Sequence, residues 1–60
     1  MNRQLKINKT YIVWEPGMNE WNWMSYVGYN KLRDEHIFQD TKDSQVFMYV
    51  PTEDIDSEVK

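Results

Sequence analysis

The sequence predicts an all-β domain of five short strands with at most one short helical turn. Apolar residues alternate with period two through most of the chain, which is the pattern of half-buried strands. Clusters of turn-forming residues separate the alternating segments. No window of ten or more residues shows the apolar spacing of a helix without an interrupting Pro, Gly or β-branched residue. Sixty residues allow one domain, spanning 1–60.

The first half of the chain predicts two strands joined by a tight turn. Residues 10–14 (TYIVW) are β-branched and aromatic, which favours a strand. The Pro-Gly dipeptide within 15–20 (EPGMNE) ends that strand in a turn. Residues 21–29 (WNWMSYVGY) are long enough for a second full strand, and Gly28 near its end predicts a bulge or sharp bend.

The second half predicts three shorter strands. Residues 30–35 (NKLRDE) are polar and form a connection, after which 36–39 (HIFQ) form a short strand. Residues 40–44 (DTKDS) are rich in Asp and Ser and predict a hairpin turn that leads into the strand 45–50 (QVFMYV).

The end of the chain predicts one helical turn before the last strand. Pro51 ends the preceding strand because proline cannot donate to a β-ladder. Residues 51–55 (PTEDI) begin with proline and continue with acidic residues, as the start of a helix prefers. Residues 55–59 (IDSEV) then form the final short strand.

The segment FMYVPTEDIDSEV (47–59), with its order of strand, proline, single turn and strand, resembles the SH3-like small β-barrel superfamily. This superfamily includes SH3, Tudor and KOW-type domains, and the resemblance implies a small five-stranded SH3-like barrel. Pro51 matches the proline at the ligand groove of SH3 domains, but Asp54 or Ile55 stands where an aromatic residue is expected. The ALYDY-like segment of SH3 domains is also absent, so the resemblance implies the fold and not the binding of proline-rich peptides. An OB-like barrel fits less well because the chain has no room for its helix between strands three and four.

Composition argues against metal, membrane and catalytic functions. The chain has no cysteine and a single histidine, which is too few for a zinc cluster, and its carboxylate-rich segments lack the spacing and glycine of a calcium loop. No apolar run is long enough to span a membrane, and the N-terminus has no apolar signal-peptide core, so we expect a cytoplasmic protein. His36 lies beside Glu35, but no Ser or Cys nucleophile is related to it by spacing. We therefore predict a protein that is not an enzyme and needs no cofactor.

Charge is divided unevenly between the two halves of the chain. Residues 1–33 carry five basic and two acidic side chains, whereas residues 34–60 carry two basic and eight acidic ones. Such asymmetry can steer an oppositely charged partner to one surface. The alternative is that both sets of charges only keep a small domain in solution.

The strand 21–29 poses the question of which face is buried. Alternation places Trp21 and Trp23 on one face with Ser25 and Val27, and we predict that this face forms the core. Met24 and Tyr26 then point outward. A register slip of one residue around Gly28 would exchange the two sets, and the sequence leaves this alternative open.

Three consecutive predicted strands are apolar on both faces, although a small barrel has only one interior. The apolar residues left over therefore predict an aromatic patch of the kind enriched at protein interfaces. The alternative is a tightly curled barrel whose strands reach two small cores. The predicted partner-binding residues are the aromatic and Met side chains, with two acidic residues of the last turn: Trp14, Met24, Tyr26, Tyr29, Phe47, Tyr49, Glu53 and Asp54.

These features predict a stand-alone, non-catalytic protein that binds another protein, or a second copy of itself. We expect a small accessory or inhibitory protein of the type common in phages and mobile elements, since the chain starts at Met1 and shows one domain. The first alternative is a nucleic-acid-binding barrel that stacks bases on Trp14, Tyr26 and Tyr49. Its phosphate contacts would come from the basic residues Arg3, Lys6, Lys9, Lys31 and Arg33.

The net charge of −3 argues against nucleic-acid binding, because attraction to phosphates supplies most non-specific affinity. The second alternative is an acidic surface that imitates a phosphate backbone and competes with nucleic acid for a basic site. Its carboxylates would be Asp34, Glu35, Asp40, Asp43, Glu53, Asp54, Asp56 and Glu58.

Overall fold

The computed structural model describes residues 4–59 and confirms the all-β prediction. The strands are β1 (Thr10–Glu15), β2 (Glu20–Asn30), β3 (Glu35–Asp40), β4 (Phe47–Val50) and β5 (Ile55–Glu58). One 3-10 turn, Thr52–Asp54, lies between β4 and β5, where the sequence predicts a single helical turn. All four ladders of the sheet are antiparallel.

The sheet has the strand order β4-β3-β2-β1-β5. Strands β1 to β4 therefore form a meander in which each strand pairs with the next, and the chain then crosses to place β5 beside β1. The crossing passes through Pro51, whose extended backbone precedes the 3-10 turn, and the Asp54 N–H closes that turn on the Pro51 carbonyl at 3.0 Å. No ladder joins β4 to β5 within residues 4–59, so the sheet is not closed.

A β-bulge interrupts the β2–β3 ladder at the place the sequence predicts. Tyr26 pairs with Phe38, but the next pair joins Gly28 to Ile37, which leaves Val27 as the extra residue. The bulge returns Tyr29 to the face of Tyr26. A Cβ built on Gly28 would meet no atom within 4 Å, so the space around the bulge does not require glycine.

The core lies on one face of the sheet and is built largely from aromatic rings. Tyr11, Tyr26 and Phe38 meet in tilted or edge-to-face contacts, with ring centroids 5.3–6.2 Å apart. Such contacts add to the free energy that burial of the rings provides. The buried apolar side chains are Tyr11, Val13, Met24, Tyr26, Phe38, Val50 and Ile55, with Leu5 and Met48 packed against them.

His36 is buried in this core and links three elements. Its Nδ1 is hydrogen-bonded to the Tyr26 hydroxyl of β2 at 3.1 Å, and its Nε2 to the Thr52 hydroxyl of the 3-10 turn at 3.2 Å. A neutral imidazole offers one donor and one acceptor, and a hydroxyl can complement either. Both ring nitrogens therefore have structural partners, which fits a role in holding the 3-10 turn against the sheet.

The prediction for the faces of residues 21–29 is wrong. Met24 and Tyr26 are buried, whereas Trp21 and Trp23 are 51% and 59% exposed. The neighbouring strands decide this orientation, because the register pairs Met24 with Tyr11 and Tyr26 with Phe38 on the core face. The structure adopts the alternative that the sequence left open, in which Met24 and Tyr26 face the core and Trp21 and Trp23 face outward.

Candidate functional site

The outer face of the sheet carries an exposed aromatic surface, which we call the tryptophan surface. It consists of Ile12 and Trp14 of β1 and Trp21 and Trp23 of β2. The register pairs Ile12 with Trp23 and Trp14 with Trp21. The two β1 side chains are half-buried, whereas both β2 tryptophans expose about half of their surface or more. A large apolar area therefore faces solvent at one end of the β1–β2 hairpin.

The hydrogen-bond pattern explains why these side chains pack closely. The Thr10 carbonyl accepts a hydrogen bond from the Val59 N–H, so alternate residues of β1, including Ile12 and Trp14, direct their backbone groups toward β5. Their pairs with β2 are therefore non-hydrogen-bonded pairs, in which the Cα atoms approach to about 4.5 Å. The rings of Trp14 and Trp21 meet edge to face, with their centroids 5.3 Å apart. This contact holds Trp21 in place while leaving half of it exposed.

Beside the tryptophan surface lies an open groove of about 470 Å³. Its walls are Glu15, Met18, Glu20, Trp21, Asn22, Trp23, Met24, Asp40, Thr41 and Lys42. The charged walls are three carboxylates and one ammonium group. The Asn22 side-chain amide donates to Glu15 Oε1 at 2.7 Å and lies 3.4 Å from Glu20 Oε1. No cationic side chain of residues 4–59 lies within 4.0 Å of Glu15 or Glu20, so neither carboxylate forms an ion pair within the described residues.

The groove also contains a free strand edge. Strand β3 ends at Asp40, opposite Met24, so residues 20–23 of β2 have a neighbouring strand only on the β1 side. The Tyr26 N–H donates to the Lys9 carbonyl, which shows that even-numbered residues in this part of β2 face β1. Trp21 and Trp23 therefore direct their backbone groups into the groove. Thr41 Oγ1 donates to the Trp23 carbonyl at 3.2 Å.

Three of the four backbone groups at this edge form no hydrogen bond within residues 4–59. They are the N–H and C=O of Trp21 and the N–H of Trp23. Such groups at a sheet edge are a template for pairing with another chain. The groove thus combines backbone donors and an acceptor with aromatic side chains and a negative charge.

A second exposed patch lies on the outer face of β3 and β4. Ile37 pairs with Tyr49, which is 62% exposed, and the neighbouring Phe47 is 51% exposed. A polar row formed by Thr10, Ser25 and Gln39 runs across the sheet between this patch and the tryptophan surface. The structure therefore places Trp21 and Trp23 in one patch and Phe47 and Tyr49 in another.

Met24 and Tyr26 were predicted to belong to the partner-binding surface, and their predicted outward orientation is wrong. Both side chains are at least 95% buried among core residues, because the strands on either side of β2 present their apolar faces to them. For the same reason Tyr26 has no face free to stack a base. Its burial, together with nearby Tyr11, raises the pKa of the Tyr26 hydroxyl above the ordinary value of 10.0.

The other predicted residues lie in different places. Trp14 belongs to the tryptophan surface, and Phe47 and Tyr49 to the second patch. Tyr29 is partly exposed, and its hydroxyl donates to the Asp34 carboxylate, which raises the pKa of that hydroxyl. Glu53 is exposed and Asp54 half-buried in the 3-10 turn.

The predicted interface residues leave out Trp21 and Trp23, which the structure exposes. Their size favoured a core assignment. They lie, however, beyond the end of β3, where β2 has no neighbouring strand on that side. The available signal was their position directly after the turn 15–20, at the tip of a hairpin.

The predicted phosphate-contacting residues lie away from the tryptophans. Lys6 and Lys9 precede β1, and Lys31 and Arg33 follow β2, so these four basic residues are at the opposite end of β2 from Trp21. Arg33 also lies 3.9 Å from Glu35. The predicted contact by Arg3 lies outside the described residues. Stacking on the exposed tryptophans and phosphate binding by these four residues would therefore need two separate surfaces.

Comparisons with protein-family models, curated proteins and solved structures give no match for this chain. Among residues 4–59, no group of three or more His, Asp or Glu side chains is placed to hold a metal ion. The same residues include no helix with the length and apolar character needed to cross a membrane. The tryptophan surface and the groove beside it are therefore the candidate functional site of the described residues.

Proposed function

We propose that this protein is a small SH3-like β-domain that acts without catalysis, by binding another protein through the tryptophan surface. The observation that carries the proposal is the exposure of Trp21 and Trp23 on the outer face of the paired strands β1 and β2. Tryptophan is among the residues most enriched at the energetic centres of protein interfaces. Trp14 and Ile12 are the cross-strand neighbours of the two exposed rings, and the edge-to-face contact of Trp14 restricts Trp21 before binding, so less conformational freedom is lost on binding.

The area available is large enough to matter for affinity. A tryptophan side chain has roughly 150–250 Å² of surface, so half-exposed Trp21 and Trp23 together offer roughly 200 Å². At about 25 cal/mol per Å², covering this area contributes about 5 kcal/mol to binding before the entropy of association is subtracted. Two such residues can therefore act as the anchor of an interface.

The SH3-like assignment is supported by the order of elements. A four-stranded meander, a single 3-10 turn and a last strand that returns to β1 are compatible with a small SH3-like barrel. The acidic residues Glu53 and Asp54 lie in that 3-10 turn, where they can steer a basic partner. We propose that the protein is an accessory or inhibitory factor of phage or mobile-element type, that it acts in the cytoplasm, and that its partner is a larger protein.

The test is affinity capture with a surface variant and a matched control. The variant carries Trp21→Lys and Trp23→Lys, and the control carries Ile7→Lys and Leu32→Lys. Ile7 is 62% and Leu32 97% exposed, so the control introduces the same charges at exposed apolar sites away from the tryptophan surface. Circular dichroism first establishes that both proteins fold.

The proposal predicts that the wild type and the control retain the same protein and that the tryptophan variant loses it. Equal retention by all three proteins contradicts the proposal. Retention of nucleic acid alone, with quenching of tryptophan fluorescence that weakens steeply with salt, favours the nucleic-acid alternative instead. Self-association through the surface would appear as a dimer in sedimentation that the tryptophan variant lacks.

A further inference from the structure

We propose that the partner binds as an extended strand of alternating apolar and basic residues, which adds to the free edge of β2 in the groove. This inference rests on the proposed function and names the chemistry of the partner. The free edge consists of the Trp21 N–H, the Trp21 C=O and the Trp23 N–H. An extended segment can complete this edge with main-chain hydrogen bonds, as in other cases of strand addition.

The alternation of side chains sets the pattern that the strand must have. Residues on one face of the added strand lie beside the exposed rings of Trp21 and Trp23, so apolar side chains fit there. Residues on its other face lie beside Glu20 and Asn22, with Glu15 within hydrogen-bond reach of the Asn22 amide. Basic side chains fit there, because neither Glu15 nor Glu20 forms an ion pair with a cationic side chain of the described residues.

Charge also argues against a second copy of this chain as the occupant. Pairing two β2 edges would bring the Glu20 carboxylates of both copies into the same groove, where Asp40 already adds negative charge. Like charges opposite each other across a strand pair are destabilising. Lys42 offers one compensating charge in the groove. A basic strand gains from all three carboxylates, Glu15, Glu20 and Asp40, and meets repulsion from Lys42 alone.

The test uses three synthetic peptides and the whole protein. The probe is an end-capped peptide of four valine–lysine repeats, which forms an alternating apolar and basic strand. The first control replaces every lysine by glutamate. The second control is N-methylated at every residue of the repeats, so that neither edge of the strand can donate hydrogen bonds. Binding is followed by tryptophan fluorescence and by NMR of the backbone amides.

The proposal predicts that the valine–lysine peptide binds and shifts the amide signals of Trp21 and Trp23 most. The glutamate peptide should bind at least tenfold more weakly, and the N-methylated peptide roughly fivefold more weakly for each hydrogen bond lost. Equal binding of the N-methylated peptide and the unmethylated valine–lysine peptide overturns strand addition. Absence of binding at about 1 mM, or amide shifts confined to other strands, also overturns it.

Two variants at one position isolate the backbone contribution. Trp21→Val retains the free N–H, whereas Trp21→Pro removes it, and proline is tolerated where a strand N–H faces away from its neighbour. We expect the valine–lysine peptide to bind Trp21→Pro roughly fivefold more weakly than Trp21→Val. Equal affinities contradict the use of this N–H. If Trp21→Pro does not fold, the N-methylated peptide decides the question.

The outcome is separable from that of the proposed function. If the Trp21 and Trp23 double variant loses its captured protein but the valine–lysine peptide does not bind, strand addition is wrong and protein binding stands. If the peptide binds at the β2 edge while capture is unaffected by the double variant, the groove binds extended basic segments but the tryptophan surface is not the interface with the captured protein.

Discussion

Two neighbouring residues of β2, Trp23 and Met24, provide the sharpest test of which face is buried. Met24 is 2% exposed and packed in the core, whereas Trp23 is 59% exposed. Replacing buried Met by Ala removes buried atoms and leaves a cavity, which costs about 2–5 kcal/mol. Trp23→Ala loses only a cross-strand contact with Ile12, which is worth about 0.2–1 kcal/mol. The smaller side chain should therefore have the larger effect on stability.

The consequence is large for a domain of this size. At about 0.05–0.15 kcal/mol per residue, the whole domain has a free energy of unfolding of about 3–9 kcal/mol. Met24→Ala therefore removes a large part of the stability, while Trp23→Ala leaves most of it. Urea unfolding followed by circular dichroism measures the difference, since a slope of about 1 kcal/mol per M shifts the midpoint by about 2–5 M for Met24→Ala. A greater loss for Trp23→Ala would refute the face assignment and with it the exposed tryptophan surface.

Three further predictions concern the core, the bulge and the first turn. Burial raises the pKa of the Tyr26 hydroxyl, so its contribution to stability is complete below pH 10.0 and is lost as pH rises through the folded-state pKa. Tyr26→Phe should remove part of this alkaline loss of stability, and by removing the hydroxyl that is hydrogen-bonded to His36 Nδ1 it should cost about 1–3 kcal/mol at neutral pH. Unfolding curves at several pH values measure both effects; the same decrease in the free energy of unfolding above pH 10.0 for Tyr26→Phe and the wild type would contradict the prediction. Gly28→Ala should leave thermal stability unchanged or raise it by up to about 1 kcal/mol, because the added Cβ meets nothing; a clear loss would contradict the bulge geometry. Asn19 has φ 54°, so Asn19→Ala should cost about 1 kcal/mol and Asn19→Gly should not; equal melting temperatures would refute this.

The strand boundaries could be predicted from the sequence because local signals determine them. Pro16 and Gly17 end β1, and Pro51 ends β4. The first and last residues of the observed strands differ from the predicted ones by no more than two positions. The bulge at Gly28 was predicted for the same reason. Turn residues act within a few positions of themselves, so a single sequence carries this information.

The face of β2 could not be predicted, because contacts between strands determine it. Both sets of alternating residues in 21–29 are apolar, so alternation alone gives two equivalent answers. The choice depends on Tyr11 and Phe38, which pair with Met24 and Tyr26 across the ladders. Since β3 stops at Asp40, the part of β2 that contains Trp21 and Trp23 has no neighbouring strand on the β3 side. Strand lengths and register are thus the missing information.

The candidate site was therefore predicted only in part. An exposed aromatic set was expected from the number of apolar residues, and Trp14, Phe47 and Tyr49 lie on the outer face as expected. The free edge of β2 depends on the different lengths of β2 and β3 and has no signal in composition. The same difference in length produces the groove.

The most direct test of the account is the affinity of the captured partner for the wild type and for Trp23→Ala. Isothermal titration calorimetry of the purified proteins measures both affinities under identical conditions. Because Trp23 is exposed and anchors the proposed interface, we predict a loss of at least about 2 kcal/mol, or about 30-fold in Kd, while the variant stays folded. Equal affinities would show that the tryptophan surface is not where this protein binds.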